Sequence, residues 1–253
     1  MTVFYYDRSF EGLLTAVFDA YYRRQFPDFV LGEGRQEPMF TEEVLHVSSD
    51  TVKAGRVWRA LEKKLPRYIM SMIMHVWLSE EEGSDALLYR YIRKVFDRPA
   101  AFIGDMGDDD VLQMKKLGLK VARESERHRQ FVRFQQASDG TFFAGVSPIY
   151  NSLPLSLDYF IDRFRDQKWI VYDMRRGYGY LYDLEKVTEI SLSEKDDLID
   201  GKLTDEMMAA DEKCFQEMWR IYHKAITIKE RINPKLQKQF MPRRYWKYLT
   251  EMQ

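Results

Sequence analysis

One cysteine, Cys214, stands in 253 residues. That scarcity excludes an intrachain disulfide, a cysteine zinc site and an iron–sulfur cluster held by this chain alone. Histidine is almost as scarce. His46, His75, His128 and His223 are scattered, none with a second ligand at metal spacing, so no metal and no cofactor are expected. The chain has no Gly-x-x-x-x-Gly-Lys phosphate loop, no Gly-x-Ser-x-Gly elbow and no His-Glu-x-x-His pair. Gly177-Tyr178-Gly179 is too short for a dinucleotide fingerprint and suits a tight hairpin. No strong excess of one charge exists either: 39 Lys and Arg stand against 40 Asp and Glu. Bulk coating of nucleic acid is thereby excluded, and any such binding needs a local patch. The longest apolar run, residues 69–78, is about half a membrane span and carries Ser71 and His75. The opening MTVFYYDRSFEG lacks a basic and an apolar signal region, so the expectation is a cytoplasmic, soluble protein without membrane contact.

What is present reads in two parts. Residues 1–125 read as helices. Ser9 is a candidate N-cap ahead of Phe10, Leu13, Leu14, Val17, Phe18, Tyr21 and Tyr22 at helical spacing. Thr41 can cap a short helix with Phe40 as its staple, and Ser49 another that Pro66 stops. Residues 68–78 and 84–96 make further helices. Asp108, Asp109 and Asp110 lead into a helix over VLQMKKLGLKVARESERHR, their charge matched to the positive end of its dipole.

Near Arg129 the apolar period changes from 3.6 to 2. Strands are expected at 131–136, 141–146, 169–173, 178–182 and 187–192, with a helix over 155–164. This order points to an α+β fold: a helical N-terminal part, then an antiparallel ββαββ sheet with packed helices in residues 126–253, in one or two domains. Residues 194–213 carry eight acidic and three basic side chains and read as a surface loop merging into a helix that runs to about Arg231. Residues 229–253 reverse the balance, with seven basic side chains, two acidic, and Phe240, Tyr245, Trp246 and Tyr248 between them.

No self-sufficient catalytic site is visible, and whether the chain is an enzyme stays open. An enzyme acting on a damaged base or nucleotide would rest on Glu124, His128 and Arg176. Glu124 and His128 at i,i+4 read equally as an intrahelical pair, and His75 as a core histidine. The basic–aromatic features carry more. Arg175 and Arg176 occupy a hairpin tip, Arg133 enters the first strand, and Arg243, Arg244, Tyr245, Trp246 and Lys247 place cations beside aromatic faces. That combination neutralises phosphate and stacks on bases. The competing reading is a docked tail whose aromatics fill a groove.

These segments also carry a family resemblance. His128-x-x-x-Val132-Arg133-Phe134, Asp139-Gly140-x-x-x-Ala144, Phe160-x-x-Arg163-Phe164 and Trp169-x-Val171-Tyr172-Asp173-x-x-Arg176-Gly177-Tyr178-Gly179 are similar to a bacterial family of uncharacterised domains labelled probable DNA metabolism proteins. So are the opening Tyr6-Asp7-x-Ser9-Phe10-Glu11-Gly12 and the closing Phe240-Met241-Pro242-Arg243-Arg244-Tyr245-Trp246-Lys247-Tyr248. The resemblance implies a genomic partner, a radical S-adenosylmethionine protein thought to modify or repair DNA, and relatives fused to a uracil-DNA-glycosylase-like domain. It implies no catalytic residues. The reading is therefore a nucleic-acid-binding accessory protein in DNA repair or modification, acting with the radical SAM partner on DNA. The alternatives are the enzyme above and a protein-interaction adaptor that does not touch DNA.

Overall fold

A computed structural model describes residues 1–192, 198–199 and 201–252. The chain is α+β and divides into two compact units, Met1–Arg123 and Glu124–Gln253.

In the first unit, β1 (Thr2–Tyr6) leads to α1 (Phe10–Arg23), β2 (Phe29–Gly32) and β3 (Glu43–Val47). Both neighbours pair parallel to β1, giving the order β2-β1-β3. This corrects the expectation of a purely helical N-terminal part. Residues 3–6 are all buried, so β1 is covered on both faces and reads as an unbroken apolar run without alternation. The helix expected behind Thr41 is strand β3 instead, and Phe40, its supposed staple, is 82% exposed at a positive φ.

Four more helices follow: α2 (Thr51–Lys64), α3 (Arg67–Trp77), α4 (Ser84–Asp97) and α5 (Asp109–Phe131). Ser9 caps α1 as expected, its hydroxyl accepting from the Gly12 amide at 2.9 Å. At α2 the cap is Asp50 rather than Ser49. Its carboxylate accepts from the amides of Val52 and Lys53, while Ser49 donates to Asp7. Asp108 closes the start of α5 by accepting from the Asp110 and Val111 amides. His75 is a half-buried histidine whose pKa burial lowers, outweighing the Gly118 backbone contact that raises it. No helix among the described residues is long and apolar enough to cross a membrane.

Residues 124–131, the end of α5, open the second unit. The helix runs through Phe131, so the first strand shrinks from the expected 131–136 to β4 (Gln135–Gln136). Next come β5 (Phe142–Val146), α6 (Leu157–Arg163), β6 (Trp169–Asp173), β7 (Tyr178–Tyr182) and β8 (Val187–Ile190), in the sheet order β4-β5-β6-β7-β8. The sheet is mixed rather than antiparallel. β5 and β6 pair parallel, Val146 beside Asp173, because α6 carries the chain back across before β6 begins; the other three pairs are antiparallel. Gly177, at φ 73°, supplies the left-handed residue that closes the β6–β7 hairpin.

Phe160 of α6 packs on Trp169 with ring centroids 5.8 Å apart, and Trp169 on Tyr182 at 5.4 Å. With Val146, Leu153 and Val171 they form the buried core of this face, each large side chain worth about 1.5–3 kcal/mol of burial. Two short strands, β9 (Leu198–Ile199) and β10 (Lys202–Leu203), pair antiparallel. The rest of the acidic segment at 193–197 and 200 lies outside the described residues. Helix α7 (Glu212–Ile226) ends five residues short of the expected Arg231, and α8 (Pro234–Phe240) follows a 3-10 turn, Lys229–Arg231. The tail is two further 3-10 turns, Arg243–Tyr248 and Thr250–Met252.

Candidate nucleic-acid interface

Several residues singled out in the sequence meet at the loop 147–152, where their charges are largely spent inside the protein. Glu124 on α5 is 1% exposed. It accepts from the Ile149 amide at 3.0 Å, from Arg244 at 2.6 Å and from Arg127 at 3.0 Å. Burial alone would raise its pKa. The Ile149 amide and the Arg244 guanidinium outweigh burial and hold the carboxyl below the ordinary range. Asp173, fully buried at the end of β6, accepts from the backbone amides of Arg175 and Arg176 and from the Arg176 guanidinium at 3.0 Å. The same two arginines then donate to loop carbonyls: Arg175 to Ile149 at 2.9 Å, Arg176 to Pro148 at 3.3 Å and Ile149 at 3.1 Å. Tyr178 donates to the Asn151 side chain, and Tyr248 shares a hydrogen bond with Ser147.

The loop is thus clamped by the helix, the hairpin and the tail. The hairpin arginines do not project freely from the tip; the buried Asp173 turns Arg176 back onto the loop. Glu124 and His128 share the α5 face but take different partners. His128 Nε2 hydrogen-bonds Ser152 at 2.9 Å, and its Nδ1 is buried without a partner among the described residues. Burial lowers its pKa to about 4, so the ring is neutral at pH 7. Ser152 and His128 are both buried.

The tail residues divide in the same way. Arg244 is the Glu124 partner, and Tyr245 is 3% exposed with its ring 5.3 Å from Phe131, which makes both of them anchors. Burial raises the Tyr245 pKa, and the Glu124 charge adds to the rise. Arg133 pairs with Glu251 at 2.6 Å, and Glu251 also accepts from the Trp219 indole at 2.9 Å. Trp246 donates to the Met241 carbonyl at 3.0 Å. Arg243 and Lys247 are exposed, each beside an aromatic ring, Trp246 at 5.8 Å and Tyr248 at 4.8 Å.

The richer surface lies just upstream of residues 243–247, in the first part of the basic segment 229–253 and on α7 before it. Residues 218–247 hold nine Lys or Arg against one Glu. Lys224, Lys229, Arg231, Lys235 and Lys238 are exposed, and none of them makes an ion pair among the described residues. On either side of them in sequence Phe215, Trp219, Tyr222 and Phe240 are also exposed, by 40% to 65%. Asn233 caps α8, accepting from the Leu236 amide at 3.0 Å with Pro234 in the first turn, which fixes Lys235 and Lys238 on one short helix. Phe131, Ile226, Ile232, Leu236 and Phe240 line a groove of about 780 Å³ beside these cations. The apolar stripe of α7 has core spacing, and that disguised it: at Phe215, Met218, Trp219, Tyr222 and Ile226 it reads as a buried face. The structure leaves it in solvent.

Residues 82–251 match the model of a family described as a domain of unknown function, DUF4130. No curated protein matches the chain.

Proposed function

We propose that this chain, which belongs to the DUF4130 family through a match over well more than half its length, is a nucleic-acid-binding accessory protein of DNA repair or modification. The observation that carries the reading is the coincidence on residues 215–240 of five exposed cations, none in an ion pair among the described residues, with four exposed aromatic rings. Cations neutralise phosphate and release counterions, and the rings offer faces on which unpaired bases stack, each worth about 1–3 kcal/mol. Arg243 and Lys247 continue the cationic track. Arg133, Arg175, Arg176, Arg244 and Tyr245 serve it indirectly by fixing the loop and the tail. The buried His128 and Ser152 argue against the enzyme reading, since a reacting group must reach substrate. The resemblance to probable DNA metabolism proteins supports a radical S-adenosylmethionine protein as the partner that supplies the chemistry.

The apolar groove favours a second reading, an adaptor in which an acidic amphipathic helix of that partner lies along Ile232 and Leu236 among the cations. Fluorescence anisotropy with single- and double-stranded oligonucleotides, beside co-purification with the radical protein, separates the two. Binding of single-stranded DNA that weakens steeply with salt supports the first. Absence of DNA binding, with co-purification lost in Ile232→Asp, establishes the second instead.

A further inference from the structure

The first unit holds a separate cavity of about 440 Å³ between α4 and the β2 edge of the sheet. Tyr89, Arg90, Arg93, Lys94 and Arg98 line it, all from α4 or its C-cap, with Asp97 and Asp28 at its side. Its carboxylates are already occupied. Asp28 accepts from the Thr2 amide at 2.8 Å, and Asp97 accepts from the Tyr21 hydroxyl at 2.6 Å and from Arg93 Nε at 3.3 Å. Behind the cations, Asp108 and Asp110 take up Lys94 and one edge each of Arg98 and Arg90. What remains is a surplus of donors. Among the described residues Arg93 donates only through Nε, which leaves Nη1 and Nη2 without acceptors, and its guanidinium lies over the Phe26 ring 4.2 Å from the centroid. Tyr89 is 4% exposed, and its hydroxyl is buried without any partner among the described residues. A buried hydroxyl left unpaired costs about 1–3 kcal/mol, so an orphan beside a cationic cavity marks a place for an acceptor.

We infer that this cavity binds a phosphate group, with Tyr89 Oη and the Arg93 fork as donors and Arg90 and Arg98 flanking. A guanidinium fork matches the spacing of phosphate oxygens and binds them by two parallel hydrogen bonds. The volume exceeds a lone phosphate and suits a ligand of mononucleotide size, within the range of small-molecule sites. Two sources present that chemistry, a free nucleotide and the 5′-phosphate of a DNA strand. The inference does not depend on the surface formed by residues 215–243, which lies in the other unit.

The test uses the full-length chain in isothermal titration with inorganic phosphate, with dAMP, and with one oligonucleotide carrying either a 5′-phosphate or a 5′-hydroxyl, at fixed ionic strength. Saturable binding of dAMP is expected, weakened roughly tenfold or more in Tyr89→Phe, which removes one oxygen and leaves the packing intact. Arg93→Gln is expected to weaken it further. If the 5′-phosphate oligonucleotide outbinds its 5′-hydroxyl twin and Tyr89→Phe abolishes the difference, the source is a strand end. If the twins bind alike while dAMP depends on Tyr89, it is the free nucleotide. Neither variant should alter the salt dependence of binding to the 5′-hydroxyl oligonucleotide, which reports the other unit. Failure of phosphate and dAMP to saturate, or equal affinity in wild type and both variants, overturns the inference.

Discussion

Replacing Arg244 by alanine separates an anchoring arginine from a DNA-contacting one. Its guanidinium donates at 2.6 Å to Glu124, a carboxylate that is 1% exposed. Stripping the partner from a buried charge costs about 3–5 kcal/mol when nothing replaces it. Here Arg127 and the Ile149 amide keep hold of the same carboxylate at 3.0 Å each, and Arg244 is itself partly exposed. The expected loss is therefore below that range, about 2 kcal/mol. At roughly 2–4 °C per kcal/mol for a chain of this size, the melting temperature should fall by about 4–8 °C. Arg243, exposed and held only near the Trp246 ring, should change stability by no more than about 0.5 kcal/mol when replaced by alanine. Thermal unfolding followed by circular dichroism measures both. A double-mutant cycle with Glu124→Gln should return a coupling of about 1–2 kcal/mol between positions 124 and 244. A melting temperature for Arg244→Ala equal to wild type, or zero coupling, would refute the reasoning.

Two further outcomes follow from the same geometry. The folded state holds the His128 pKa at about 4, below the ordinary 6.5, so the unfolded chain takes up the proton first as pH falls. Stability should decline between pH 6.5 and 4, by about 3 kcal/mol over the window, and urea titrations at stepped pH should show a shallower decline in His128→Gln. A methyl group added at Gly145 would lie 2.2 Å from the Gly201 carbonyl oxygen, where β5 passes the residue just before β10. Gly145→Ala should therefore cost about 1–3 kcal/mol, and denaturation at wild-type midpoint would contradict that close approach.

Parts of this structure were legible because local chemistry and tertiary context agree. The runs Trp169–Asp173 and Tyr178–Tyr182 flank Arg175-Arg176-Gly177, and a strand pair with a left-handed glycine is the one arrangement that suits all three. β1 was hidden because its parallel neighbours, β2 and β3, lie more than twenty residues away in sequence. Nothing local distinguishes Val3, Phe4, Tyr5 and Tyr6 from the start of a buried helix. The parallel register of β5 and β6 was hidden likewise: whether a chain returns by a hairpin or across a helix depends on where α6 packs. At the candidate interface, residue type was readable but pairing was not. Arg244 and Arg243 are adjacent and chemically identical, and only Glu124, 120 residues upstream of the former, tells them apart. The uncovered α7 face carried a core-like signal, so exposure had to be seen.

The central claim is that exposed cations and rings between residues 215 and 243 bind nucleic acid, and the salt dependence of DNA affinity tests it most directly. Anisotropy titrations of a single-stranded oligonucleotide across a series of salt concentrations give a slope of about 0.7 per phosphate contact. Lys235→Gln and Lys238→Gln together remove two exposed, unpaired charges from α8, and the slope should fall by about 1.4 while the melting temperature stays at the wild-type value. An unchanged slope in this double variant, or wild-type protein that binds no DNA at low salt, would contradict the account.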